Sequence, residues 1–246
     1  MHQALPSQRV RHPVHARVSP RLPNRNLILP HLTKPHPRRL KNITAPYHYK
    51  FQAITALEKT DLEFSLVSNS VFLDYWAAPA IPSHLSTCAP LWLDFGQRFA
   101  ALPGDGSTPL VLTHTRDVGL FTAALLELPR WERKYTIRGD RLTLNEAVRI
   151  AEEVMDVKFT VVYDDAEKLR GEGATITPTM LRFLPEHDDD DDLVRSTRQT
   201  LALSAFNYLE GAMDLDDCTS CLNAIFPEIK PLTVRGVAEA WKEKLQ

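Results

Sequence analysis

The sequence predicts an α/β fold, and three stretches carry that prediction. Residues 50–76, KFQAITALEKTDLEFSLVSNSVFLDYW, read as a helix, a turn, a buried strand and an aromatic loop. Residues 110–128 run from a short apolar strand into an apolar helix. Residues 135–163 give strand, helix and strand, with Thr143-Leu144-Asn145-Glu146 as a capping box at the helix start. Short strands alternating with helical patterns indicate a sheet covered by helices.

In the first stretch Phe51, Ile54 and Leu57 recur at helical spacing until Lys59-Thr60-Asp61 breaks the pattern. Residues 62–67 are rich in strand formers and end in the polar Ser68-Asn69-Ser70. Phe72, Tyr75 and Trp76 follow directly. Ligands of open α/β sheets bind beyond the carboxyl ends of the strands, so this aromatic loop is where substrate contacts belong.

A Pro/Ala/Ser-rich connection over 77–90 leads to short strands at 91–93 and 99–102, around Gly96. Gly104-Asp105-Gly106 marks a turn into the strand 110–112; a phosphate loop would need a further glycine and an immediate helix. Asp117 is placed to cap a helix over 118–128, since its carboxylate can accept first-turn amides. His114 has no carboxylate or nucleophile at a recognisable spacing, which favours a structural or pocket-wall histidine over a catalytic base.

Residues 135–138 read as a strand and Gly139-Asp140 as a turn. The helix after it puts Leu144, Ala147, Val148, Ala151, Val154 and Met155 on one face, and a strand follows over 159–163. Gly171-Glu172-Gly173 follows a charged helix end and lacks the strand context of a nucleotide fingerprint. The five aspartates over 188–192 read as a solvated loop, because consecutive like charges repel. Cys218 and Cys221 form a lone C-x-x-C in a polar stretch, which favours neither zinc nor redox work. Helices close the chain over 197–209 and from Thr233, the latter with Val234, Val237, Ala238, Trp241 and Leu245 on one face.

Composition sets the remaining bounds. With 246 residues and 43% apolar content the chain can bury a sizeable core. No apolar run approaches bilayer length, the amino terminus has no signal-like apolar region, and three cysteines make no disulfide framework. A cytoplasmic protein is expected. The net charge of −2 hides a division at residue 49. Residues 1–49 carry nine basic and no acidic side chains, whereas 50–246 carry twenty basic and thirty-one acidic ones. The first segment also holds eight of eighteen prolines, six of nine histidines and no glycine. Residues 1–49 therefore read as a basic Pro/His-rich arm, expected to be disordered, and 50–246 as the folded domain. The arm lacks stacking aromatics before Tyr47, which disfavours nucleic acid as a partner, and its composition suggests that upstream coding sequence has been lost.

The stretch 50–76 resembles the NmrA-like and isoflavone reductase-like branch of the atypical short-chain dehydrogenases, within the NAD(P)-binding Rossmann superfamily. In that family a catalytic lysine opens this helix, and the next strand ends in a loop often reading N-G-F-F before an aromatic pair. Asn69 and Phe72 match the first and last loop positions; Ser70 and Val71 depart from its centre. The resemblance continues through PGDGSTPLVLTHTRDVGLFTAALLELP, LTLNEAVRIAEEV and FPEIKPLTVRGVAEAWK, about four-fifths of the chain.

The resemblance implies a partial Rossmann-like fold missing its first strands, with a smaller carboxy-terminal substrate-side lobe. It implies an NADP- or NAD-dependent reductase of small, aromatic or secondary-metabolite substrates, with no membrane partner. Lys50 would be the catalytic acid or base, provided burial or nearby positive charge tunes it. Asn69 and Phe72 would line the nicotinamide side, and Tyr75 and Trp76 would wall the substrate. Yet the nine glycines begin at Gly96, and neither G-x-G-x-x-G nor G-x-x-G-x-x-G occurs. The chain as written is therefore expected to be truncated and inactive. The alternative is a non-catalytic regulatory or dinucleotide-sensing protein of the same family.

Overall fold

A computed structural model of the protein describes residues 45–85, 89–184, 192–215 and 220–246. The arm up to residue 44, residues 188–191 of the aspartate run and Cys218 lie outside the described residues. Residues Tyr49–Gln246 form one compact unit.

In chain order the elements are α1 (Ala45–Leu57), β1 (Leu66–Ser68), β2 (Val71–Phe72), α2 (Asp74–Ala77), β3 (Leu93–Asp94), β4 (Phe99–Pro103) and β5 (Pro109–Thr113). Then come α3 (Thr115–Leu126), β6 (Lys134–Thr136), β7 (Asp140–Thr143), α4 (Leu144–Met155), β8 (Thr160–Asp164), α5 (Ala166–Gly171) and α6 (Pro178–Leu181). The series ends with α7 (Asp192–Leu209), α8 (Leu222–Ile225) and α9 (Val234–Leu245). This is the mixed α/β architecture, with parallel strand pairs, that the sequence predicts.

Three small sheets share the strands. β1 runs parallel to β6, with Val67 opposite Tyr135. β2 runs parallel to β5, with Phe72 opposite Thr113, and β7 lies antiparallel on the other side of β5. β4 is central to the third sheet, parallel to β8 and antiparallel to β3. β4 and β5 are nearly continuous apolar runs because helices and neighbouring strands cover them, and Ala100–Leu102 and Leu110–Leu112 are fully buried.

Helix α4 follows its sequence pattern closely. Its capping box is formed in both directions between Thr143 and Glu146, and Leu144, Ala147, Val148, Ala151 and Met155 are buried. That face packs in one cluster with Val237, Ala238 and Trp241 of α9 and with Leu102, Leu110 and Leu112 of the sheets. A second cluster joins Phe121 and Leu125 of α3 to Tyr135, Ile137 and Leu222.

Several expectations need correction. The strand foreseen over 62–67 is only Leu66–Ser68, because its partner β6 is three residues long and Leu62 is exposed. The first helix begins at Ala45, so Lys50 lies inside α1 and does not open it. The aromatic loop is instead the short strand β2 and the helix α2, closed by amides of Trp76 and Ala77 donating to the Leu73 carbonyl. Helix α3 starts three residues earlier than expected, and its cap is His114, not Asp117. The strand expected over 135–138 ends at Thr136, and the turn read at 139–140 instead leads directly into β7. β7 forms because the antiparallel pairing with β5 overrides the turn propensity of Gly139-Asp140.

Candidate active site at the carboxyl ends of β2 and β5

The strands β2 and β5 end side by side at Phe72 and Thr113, and the chain leaves them into α2 and α3. Thr113 borders both Asn69 and Phe72. The Thr113 hydroxyl donates to the Asn69 carbonyl (3.2 Å) and accepts from the Gly139 amide (3.1 Å). Gly139 is required at this crossing, because a Cβ there would stand 2.2 Å from the Leu112 carbonyl oxygen. Ser70 has φ of +58°, the left-handed region that glycine favours, and its hydroxyl donates to the Met213 carbonyl at 2.7 Å. The departure from N-G-F-F at Ser70 thus falls at a position where a glycine would be unstrained.

Tyr75 is half-buried on α2 and packs against the main core. Trp76 is a core residue, 1% exposed, and not a solvent-facing wall. Its indole N–H donates to the Leu91 carbonyl (2.7 Å), and its own carbonyl accepts from the Trp241 indole of α9 (2.7 Å). The Trp76 ring lies 6.3 Å from that of Phe95, which in turn meets Phe159 edge-on at 5.9 Å. Lys50 is exposed on α1, so the described residues do not supply the burial its catalytic role requires.

The most connected polar group of the site is one the sequence reading passed over. Asp74, fully buried, lies between Leu73 and Tyr75 at the first turn of α2. Its Oδ2 accepts the Thr115 amide (2.8 Å), and its Oδ1 accepts the hydroxyls of Thr115 (2.6 Å) and Ser83 (2.5 Å). One carboxylate thus ties together the starts of α2 and α3 and the Pro-rich connection. Burial pushes the Asp74 carboxyl upward. The Ser83 and Thr115 hydrogen bonds and the nearby His114 more than offset this and hold it below the ordinary aspartate range. The signal in the sequence was an acid interrupting an apolar run, Val-Phe-Leu-Asp-Tyr-Trp.

His114, 3% exposed, uses both ring nitrogens inward. Nδ1 accepts the Arg116 amide (3.2 Å), which assigns the neutral-form proton to Nε2. Nε2 faces Asp74 Oδ1 at 3.5 Å without closing a hydrogen bond. Neither nitrogen presents a lone pair outward, so the geometry suits a helix cap and not a general base.

The helices α3, α4, α7 and α9 carry capping or acidic groups at their amino ends. α3 carries Asp117 in its first turn, and the Asp117 carboxylate accepts the Leu232 amide (2.8 Å). α4 has its capping box, α7 begins with Asp192, and α9 is capped by Thr233 while its Val234 amide donates to Asp140 (3.0 Å). Among the described residues no group of three or more His, Cys, Asp or Glu could hold a metal, and no helix is long and apolar enough to cross a membrane.

Comparison with known proteins agrees with this architecture. No protein-family model matches the chain. The chain is 41% identical over 110 residues to Oxidoreductase BOA1 of Botryotinia fuckeliana, covering 45% of this chain and 36% of that protein. It is 28% identical over 188 residues to Oxidoreductase swnN of Metarhizium robertsii, covering 74% and 53%. It spans about half the length of the curated relatives it matches. Among solved structures, AtPrR2 with NADP+ and (+)-pinoresinol superposes with a TM-score of 0.59 at 18% identity, over 83% of this chain and 61% of that one. The leucoanthocyanidin reductase–NADPH complex from Vitis vinifera gives 0.53 at 14% identity, over 80% and 58%.

These neighbours carry a nicotinamide dinucleotide. The amino termini of α3, α4, α7 and α9 do not fit such a group's pyrophosphate. Their first amides are already bonded to side chains or are fronted by carboxylates of the same sign. In fold, the resemblance read from the sequence holds: the chain carries part of the α/β architecture of these reductase structures.

Proposed function

We propose that this chain is the substrate-side portion of an NAD(P)-dependent reductase acting on small aromatic or secondary-metabolite molecules. The observation that carries the reading is the junction at Phe72 and Thr113. There Thr113 borders both residues that resemble the family's nicotinamide-side pair, Phe72 in register across the parallel strands and Asn69 through its backbone carbonyl. The names of the curated relatives, both oxidoreductases, support the same class. In this reading Asn69 and Phe72 line the nicotinamide side and Tyr75 faces the substrate. Trp76 stiffens that wall from within the core. Lys50 moves the proton that accompanies reduction, and becomes buried enough to do so only when further protein covers α1. The chain by itself is inactive and cytoplasmic. The exposure of Lys50 favours, as a second reading, a non-catalytic binding protein built on the same architecture.

The deciding experiment joins a dinucleotide-binding half upstream of Lys50 and measures oxidation of reduced nicotinamide cofactor against a panel of aromatic substrates. Turnover is expected, and Lys50→Ala should lower it about a hundredfold or more with little change in cofactor affinity. Binding without turnover in the restored protein would favour the second reading. Turnover unaffected by Lys50→Ala would remove that residue from the mechanism.

A further inference from the structure

We infer that the described residues contain no seat for a dinucleotide's pyrophosphate, so that they recognise any nicotinamide nucleotide reaching the proposed site through its nicotinamide end alone. The inference rests on the reading of the site given above but concerns a different part of the ligand.

A pyrophosphate seat needs two things together: free amides at a helix amino terminus, and a glycine whose missing side chain lets the backbone approach the phosphates. All nine glycines of the chain lie among the described residues. Six have their side-chain space already filled by this protein. A Cβ at Gly96 meets Trp241, at Gly104 Leu209, at Gly106 Asn145, at Gly139 the Leu112 carbonyl, at Gly173 the backbone of Arg198, and at Gly236 Leu232. Three face open space, and none stands at a helix start. Gly119 lies inside α3, Gly171 is the last residue of α5, and Gly211 follows α7. Helix carboxyl ends present carbonyl oxygens and the negative end of the dipole, which repel phosphate.

The first requirement fails at the place where it matters most. α3 is the long helix that begins at the carboxyl ends of the parallel strands, where a nucleotide would lie. Its Thr115 amide is held by Asp74, its Arg116 amide by His114, and Asp117 adds a second carboxylate to the same turn. Phosphate arriving there would have to displace buried hydrogen bonds and approach two acids.

The test compares NADPH with reduced nicotinamide mononucleotide, which keeps the nicotinamide, ribose and one phosphate but lacks the pyrophosphate link and adenosine. Both are titrated into the 246-residue chain by calorimetry and nucleotide fluorescence, at low and at physiological salt. At physiological salt the two should bind within about fivefold of each other, or neither should saturate, since contacts to mobile surface cations are screened. NADPH binding about tenfold or more tighter than the mononucleotide at physiological salt would overturn the inference. Both results are independent of turnover. The proposed function could therefore fail in the restored protein while this inference stands, and the reverse.

Discussion

Replacing Asp74 by Asn tests whether one buried charge holds the site together. Asn keeps the shape of the side chain but converts one acceptor into a donor. The Thr115 amide cannot reverse its role, so the remaining oxygen must stay at the Oδ2 position. The amide nitrogen then falls at Oδ1, where the Ser83 and Thr115 hydroxyls can rotate to accept. Three charge-assisted bonds become neutral ones, at roughly 1 kcal/mol each, and relief of the buried charge returns part of this, leaving a loss of about 2 kcal/mol. Asp74→Ala should cost about 4 kcal/mol, because it also leaves the Thr115 amide without its acceptor. Urea unfolding followed by tryptophan fluorescence measures both, with unchanged m-values as the check on two-state behaviour. The sign with pH is also fixed. Because the folded-state value of Asp74 lies below the unfolded 3.8, its stabilisation is present above that pH and is lost as pH falls through the folded value. The gap between wild type and Asp74→Asn should therefore be constant near neutrality and shrink in acid. Equal stabilities at pH 7, or a gap that persists undiminished in acid, would refute the argument.

Two further substitutions test the backbone at the same junction. Ser70→Gly relieves a left-handed residue by about 1 kcal/mol but loses a hydrogen bond of similar worth, so its urea midpoint should move by less than about 1 kcal/mol equivalent. Gly139→Ala forces a methyl group against the Leu112 carbonyl and should cost about 3 kcal/mol or more, read as a collapse of cooperative thermal unfolding.

The units with strong local signals were legible in the sequence. α4 declared itself through a capping box and six apolar positions at helical offsets, and the structure buries that face. β4 and β5 were legible as apolar runs bounded by turn residues. What escaped depended on distant partners. β7 exists because β5 offers it a ladder, and nothing within Asp140-Arg141-Leu142-Thr143 marks that pairing. The cap of α3 was misassigned because Asp117 has the better intrinsic capping chemistry, yet its carboxylate is engaged by Leu232, 115 residues away. Trp76 read as a loop aromatic because it follows Tyr75. Its burial is set by Leu91, Phe95 and Trp241, none of them near in sequence. Asp74 escaped for the same reason: its three hydrogen bonds come from two residues, Ser83 and Thr115, in separate segments.

The hydrogen bond from Trp241 to the Trp76 carbonyl joins residues 165 positions apart. During synthesis α2 and its neighbouring strand emerge long before the helix that fastens them. This bond can form only once α9 has left the ribosome. Until then the Trp76 carbonyl has only water to answer it. The proposed substrate wall is thus among the last parts of the molecule to become rigid. Interruption of translation anywhere before α9 would leave a chain whose sheets can pair but whose site has no fixed back.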